Sequence, residues 1–424
     1  MTTSERTVAV GPDATAAARP AQTAISRLLG PAFVAAIAYV DPGNVAANLT
    51  AGARYGYLLV WVLVISNVMA VVVQYLSAKL GAVTGRSLPE LLGSSLSRPA
   101  RLAYLGQGGL VAMATDLAEV IGGAIALQIL FDIPLVVGGL IVGAMSMAML
   151  AMRDRHGQRT FEQVVIGLLL VITIGFVAGL LVEPPHPGQA LGGLVPRFQG
   201  SGSVLIAASM LGATVMPHAV YLHSALVTDR HGGGGEPSRI RQLLRASRWD
   251  VVFSLLIAGS VNSAMLLLAA THLPGVPGTD TIEGAHAAVA AATGPVVATL
   301  FAVGLLASGL ASASVGSYAG ASIMSGLLKV RMPLLVGRLV TLVPAIVLLA
   351  VGADPTWTLV LSQVALSLGL PFALFPLVVL TGRRRVMGEF ANGRLLAAAG
   401  WAVAGVIVVL NMTLLGLLAS GRGA

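Results

Sequence analysis

The chain of 424 residues contains no cysteine, so disulfides, thiolate metal sites and cysteine nucleophiles are excluded outright. Charge is almost as scarce, with 10% of residues ionised and 5% aromatic. What fills the sequence instead is apolar: 56% hydrophobic residues and a mean hydropathy of +0.88. That balance describes an all-α protein crossing a membrane many times and excludes a soluble enzyme. The net charge of +8 does not indicate nucleic acid, because the basic residues are scattered through short connections between apolar runs.

Eleven stretches are long enough to cross a bilayer: 28–53, 57–79, 102–127, 134–152, 163–182, 203–227, 250–271, 295–327, 333–352, 357–380 and 395–419. If the N-terminus is cytosolic, alternation puts 22 of the 25 Lys and Arg residues on the cytosolic side, leaving Arg54, Arg197 and Arg422 outside. A missed or invented span would destroy that asymmetry. The expected topology therefore has an odd number of spans in a cell membrane, with the N-terminus inside and the C-terminus outside. Residues 1–26, rich in Ala, Thr and Pro, read as a disordered cytosolic tail.

Two spans are interrupted. The first carries Asp41-Pro42-Gly43-Asn44 in mid-membrane. A central carboxylate costs about 2.5–3.5 kcal/mol on insertion scales and an interior proline about 3 kcal/mol. The sixth carries Met216-Pro217-His218. Interruptions five spans apart are the sequence mark of an inverted-repeat transporter with its site at the midplane, although proline alone also kinks ordinary membrane helices. Asp41 would attract a cation and Asn44 adds an amide oxygen. Pro217 has no N–H for the carbonyl of Ala213 one turn back, which is thereby freed, and Met216 offers a thioether. Such a mixed set favours Mn²⁺, Fe²⁺, Co²⁺ or Cd²⁺ over Mg²⁺ and Ca²⁺, which gain little from sulfur.

These segments, with ATDLAEVIGGA in the third span and SQVALSLGLPFALFPLV in the tenth, resemble the Nramp family of proton-coupled divalent metal transporters, the bacterial manganese-uptake branch in particular. The motifs occur in the family's order from about Leu28 to Thr381. The resemblance implies a fold similar to the amino-acid transporter LeuT: a first repeat in 27–183, an external connection in 184–202, a second repeat in 203–381, then a basic cytosolic connection and an eleventh span in 382–424. It also implies a metal held by Asp41, Asn44, the Ala213 carbonyl and Met216, with Gln363 joining in some states. Two positions depart from the pattern. Ala219 stands where Asn is common after the MPH triplet, and Gly337-Arg338 where many relatives have paired arginines.

For the coupled proton, Asp116 and Glu119 lie three apart on one face of span 3, with Arg338 of span 9 as a natural partner. Proton relay and a static ion pair both fit. His218 and His223 point about 140° apart on a regular helix, so they do not form the paired histidines of HExxH. His218, beside the break, is the better proton carrier; His223 has no assigned role. Gly232 to Gly235 reads as a flexible linker. The expected activity is import of Mn²⁺ and related metals with protons, by alternating access, without catalysis, a bound cofactor or an obligate protein partner. The alternatives are a LeuT-like carrier of an amino acid or other organic cation, and an intramembrane metal enzyme.

Overall fold

A computed structural model describes residues 30–182, 184–279, 281–328 and 334–420. The expected tail, 1–26, lies outside the described residues, as do Glu183, Asp280, Lys329, Arg331 and Arg422 of the connections and terminus. Among the described residues the regular elements are all helical.

Span 1 is split into 1a (Pro31–Val40, the last turn 3-10) and 1b (Pro42–Tyr55), and span 6 into 6a (Gly200–Thr214) and 6b (Pro217–His231). The unbroken spans are 2 (Val60–Thr84), 3 (Arg98–Phe131), 4 (Leu135–His156), 5 (Gln158–Val182), 7 (Pro237–His272), 8 (Pro295–Leu328), 9 (Leu334–Ala350), 10 (Pro355–Gly382) and 11 (Arg394–Ala419). By length and apolarity alone, 9 described stretches could cross a membrane. That count runs 1b into span 2 and passes over 1a and span 9, which are short. With those restored, the helices follow the eleven expected stretches. Several extend past the apolar run, span 7 most of all with 36 residues, because a helix continues into the polar boundary where hydropathy no longer marks it.

Helix starts follow local chemistry. Pro occupies the first turn of spans 3, 7 and 10 and of both second halves, where its missing N–H is harmless. Before span 3, Ser87 and Glu90 form a reciprocal capping box. Large apolar side chains such as Val68, Leu110, Leu170 and Val409 remain more than 60% exposed, and contiguous outward apolar surface of this kind suits a lipid environment.

Prolines inside the bundle create carbonyls without intrahelical partners, and other spans supply the donors. Pro371 frees the Ser367 carbonyl, which accepts from Asn411 Nδ2 of span 11 at 2.7 Å. Pro376 frees that of Phe372, which accepts from Tyr221 OH of 6b at 3.3 Å. At the end of 1a, the carbonyls of Tyr39 and Val40 accept from Asn262 Nδ2 at 2.6 Å and Ser308 Oγ at 2.5 Å.

One expectation is corrected. The Gly232–Gly235 stretch is not a free linker: Gly234 N–H donates to the Ala82 carbonyl at 3.1 Å, and Gly233 packs on Gly81 and Gly85 with no room for a side chain. Glycine serves close approach there, a role composition does not distinguish from flexibility.

A second close approach sets the site. A side chain at Gly122 of span 3 would overlap the ring of Pro42, whereas Gly167 of span 5 faces open space. Gly122→Leu is therefore expected to destabilise by about 1–3 kcal/mol, as overpacking does, and to lower the thermal midpoint in detergent, with Gly167→Leu near neutral. Equal midpoints would show that span 3 does not seat the break.

Candidate functional site

At the first break, Asp41 leaves the helix in an extended conformation (φ −70°, ψ 167°) and caps 1b: its Oδ1 accepts from the Asn44 N–H at 2.8 Å and from Asn44 Nδ2 at 2.8 Å. At the second, Val215 and Met216 leave the helical region (φ −109°, ψ 77°; φ −78°, ψ 128°). The Ala213 carbonyl, denied its donor by Pro217, accepts from Asn44 Nδ2 at 2.8 Å. That hydrogen bond joins the two breaks. From span 10, Gln363 Nε2 reaches Asp41 Oδ2 at 3.5 Å, and its side chain fills the space beside Gly43 that a larger residue would occupy. Gly212 in turn lies on the Gln363 backbone. Met216 is fully buried at the start of 6b.

The predicted set is thus gathered at one place: Asp41, Asn44, Ala213 and Gln363 are linked by hydrogen bonds, with Met216 three residues past Ala213. Its chemistry is that of a cation site. Asn44 Oδ1 and Gln363 Oε1 are buried acceptors with no donor, beside a carboxylate 1% exposed. A cation provides what such oxygens lack. Asn44 now presents nitrogen to its two neighbours, both of which can only accept, so a metal would require the amide to turn and offer its oxygen. Among the described residues no group of three or more His, Asp or Glu side chains is arranged to hold a metal ion, and within this hydrogen-bonded set the one carboxylate is that of Asp41.

The predicted proton residues fall into two linked parts. Asp116 forms a buried ion pair with Arg338, leaving Asp116 Oδ2, Arg338 Nε and Arg338 Nη2 without partners. A cavity of about 100 Å³ adjoins them, lined by spans 3, 8 and 9. Glu119 turns away from that pair. Its carboxylate packs against Gly316 of span 8, neither oxygen is hydrogen-bonded, and its charge interacts with that of Asp41. The two acids expected on one face therefore serve different neighbours. His218 Nδ1 meets Thr115 Oγ1 at 3.0 Å, one residue from Asp116, and His218 Nε2 is buried without a partner.

Two arrangements went unread in the sequence. His223 Nδ1 meets Gln74 Oε1 at 2.7 Å, Gln74 Nε2 donates to Tyr39 OH, and Asn48 Nδ2 donates to Asn262 Oδ1 at 3.2 Å, a polar chain linking 6b, span 2, 1a, span 7 and 1b. The other lies at the far end of 1a. Asp250 of span 7 accepts from the N–H groups of Gly30 at 3.1 Å and Ala32 at 3.0 Å, while Glu162 of span 5 pairs with Arg230 of 6b at 2.8 Å and packs on Gly30. Asp229 of 6b also accepts from Tyr318 OH of span 8. The one carboxylate of span 7, at the start of its apolar run, was the available signal for Asp250; nothing local names its partner.

The model of the family described as natural resistance-associated macrophage protein-like (Nramp) matches residues 32–417. The divalent metal cation transporter MntH of Mycobacterium tuberculosis H37Rv is 61% identical over 394 residues, 93% of this chain and 92% of that one. Among solved structures, the manganese transporter of Eremococcus coleocola, determined with an aromatic bis-isothiourea compound, superposes with a TM-score of 0.82 at 32% identity over 92% of this chain and 86% of that one. MhsT, solved with L-phenylalanine, shares the fold alone: TM-score 0.60 and 14% identity over 91% of this chain and 97% of that one.

The contact between Asp250 and 1a is testable on a background without cysteine. In an Ala35→Cys chain the buried thiol should react slowly with a maleimide, and adding Asp250→Asn should raise the rate about tenfold, since hydrogen bonds to charged groups contribute about 1.5–3 kcal/mol. An unchanged rate would mean that Asp250 does not hold 1a.

Proposed function

The chain belongs to the Nramp family, and from that membership together with the joined breaks we propose that it is a secondary transporter that imports Mn²⁺ and related divalent transition metals with protons. The observation that carries this reading is the buried Asp41 carboxylate flanked by two donorless oxygens, Asn44 Oδ1 and Gln363 Oε1. In the proposed site Asp41 supplies the charge, Asn44 and the Ala213 carbonyl supply oxygen, Met216 supplies the thioether that disfavours hard ions, and Gln363 closes the site from span 10. One carboxylate also suits cargo that must leave: several would hold the ion too well.

The proton route we assign to Asp116, Glu119, His218 and Arg338. Where many relatives have a second arginine this chain has Gly337, and among the described residues Arg338 pairs with Asp116 alone. Glu119, with neither oxygen bonded, is free to take and release a proton beside Asp41. Alternating access would turn on the two breaks, with the contacts of Gly30, Glu162, Arg230 and Asp250 closing one face and released when 1a swings. The excess of arginine in the connections on that side supports assigning that face to the cytosolic side of a cell membrane, with the C-terminus outside. An amino acid as cargo is disfavoured because its carboxylate would face Asp41.

In reconstituted vesicles, Asp41→Ala should reduce Mn²⁺ uptake to the level of protein-free vesicles; parental uptake would refute the site. Met216→Ala should retain part of the Mn²⁺ uptake and admit Ca²⁺ or Mg²⁺, so an unchanged ion profile removes the selective role of sulfur. Asp116→Asn should lower the acidification of the vesicle interior per Mn²⁺ taken up, and an unaltered ratio would reduce the Asp116–Arg338 pair to a static tie.

A further inference from the structure

Where the connection between spans 5 and 6 returns over the end of span 2, two hollows meet at one side chain. The outer one, about 550 Å³, is the more polar of the two, with Tyr55, Gln189, Arg197, Phe198 and Gln199 in its lining. The inner one, about 520 Å³, is an apolar groove on the bundle surface between span 2, 6a and span 11, lined by Trp61, Ser66, Phe198, Ala207, Gly405 and Val409 among others. Phe198 borders both. Each volume falls within the usual range of ligand pockets, about 300–1,000 Å³.

The boundary between them is fixed. Trp61 Nε1 donates to the Arg197 carbonyl at 3.2 Å, and the Trp61 ring meets Phe198 edge-on at 5.3 Å. Arg197 is exposed, and no carboxylate among the described residues pairs with its guanidinium. A cationic fork at the membrane boundary, aromatic rings at the same depth and an apolar channel below match one class of molecule.

We propose that this composite hollow binds a single glycerophospholipid. Its phosphodiester sits on the Arg197 guanidinium with the amides of Gln189 and Gln199 in support, and one acyl chain runs down the groove against 6a and span 11. The charge on Arg197 requires an anion, and the groove requires a chain attached to it. The proposal needs the protein to lie in a bilayer but does not depend on which ion it carries. Because Ala207 and Leu211 of 6a line the groove and Ala213 ends the same helix, the lipid would back the half-helix whose carbonyl enters the ion site.

The test is native mass spectrometry of the full chain extracted in mild detergent from vesicles of phosphatidylcholine and phosphatidylglycerol. The parent should retain one phospholipid per chain. Arg197→Gln and Gly405→Trp should each cut that occupancy at least about fivefold, the first by removing the phosphate's partner and the second by filling the groove. Both positions tolerate change, since Arg197 is exposed and Gly405 faces open space. Leu170→Trp, on the exposed surface of span 5, should leave occupancy at the parental value. Parental occupancy in both groove variants would overturn the proposal. So would equal loss in Leu170→Trp, retention of a fatty acid without phosphate, or a chain dimer that the groove variants dissociate.

Discussion

A bilayer offers no water to an unpaired backbone group, and this protein places several such groups at mid-membrane by breaking its own helices. The remainder of the structure follows from how each is answered. Tyr39 and Val40 at the end of 1a receive donors from Asn262 and Ser308, side chains of unbroken helices that stay in place. Ala213 at the end of 6a receives its donor from Asn44, a residue of the other broken helix. The first solution is scaffold. In the proposed site the second is exchangeable: if Asn44 turns its amide, a cation takes the place its nitrogen holds between a carboxylate and a carbonyl. Structural satisfaction and the proposed cargo binding would then use the same atoms, so that a site this buried avoids an intolerable cost when the ion departs.

Much of this was legible in the sequence, since the expensive residues are also the informative ones. Asp41 and Pro217 are each costly in a membrane helix, and their matching positions five spans apart point to the breaks where a lone proline would not, since Pro371 and Pro376 sit inside an unbroken helix; the missing N–H of Pro217 then directs attention to the carbonyl one turn back. The eleven spans were readable from apolar runs and the placement of arginine. What escaped was long-range pairing. Asp250 lies 220 residues from Gly30, and no local pattern says that one caps the other's helix. The divergence of Asp116 and Glu119 was hidden for a similar reason: helical spacing gives a shared face, but which neighbour each acid finds depends on spans 8 and 9. Gly233 after span 6 shows the converse failure, where composition suggested slack and packing demanded the absence of a side chain.

Around the breaks charge is used sparingly. One carboxylate stands at the proposed ion site, Asp116 is held by Arg338, and Glu119, with neither oxygen hydrogen-bonded, has no charged partner among the described residues. In that proposal selectivity and release are separated: sulfur at Met216 and the turned amide of Asn44 govern which ion fits, while the single carboxylate keeps it from staying.

The hydrogen bond from Asn411 to the Ser367 carbonyl has a meaning for biogenesis. Pro371 leaves that carbonyl without a helical donor, and Asn411 lies on a helix synthesised only after span 10 is complete. Until span 11 inserts, span 10 carries a bare acceptor one turn from Gln363. The eleventh helix stands outside the ten spans assigned to the repeats, yet it supplies the donor that the tenth lacks, so a chain cut short before Asn411 would leave the Ser367 carbonyl unpaired inside the bundle.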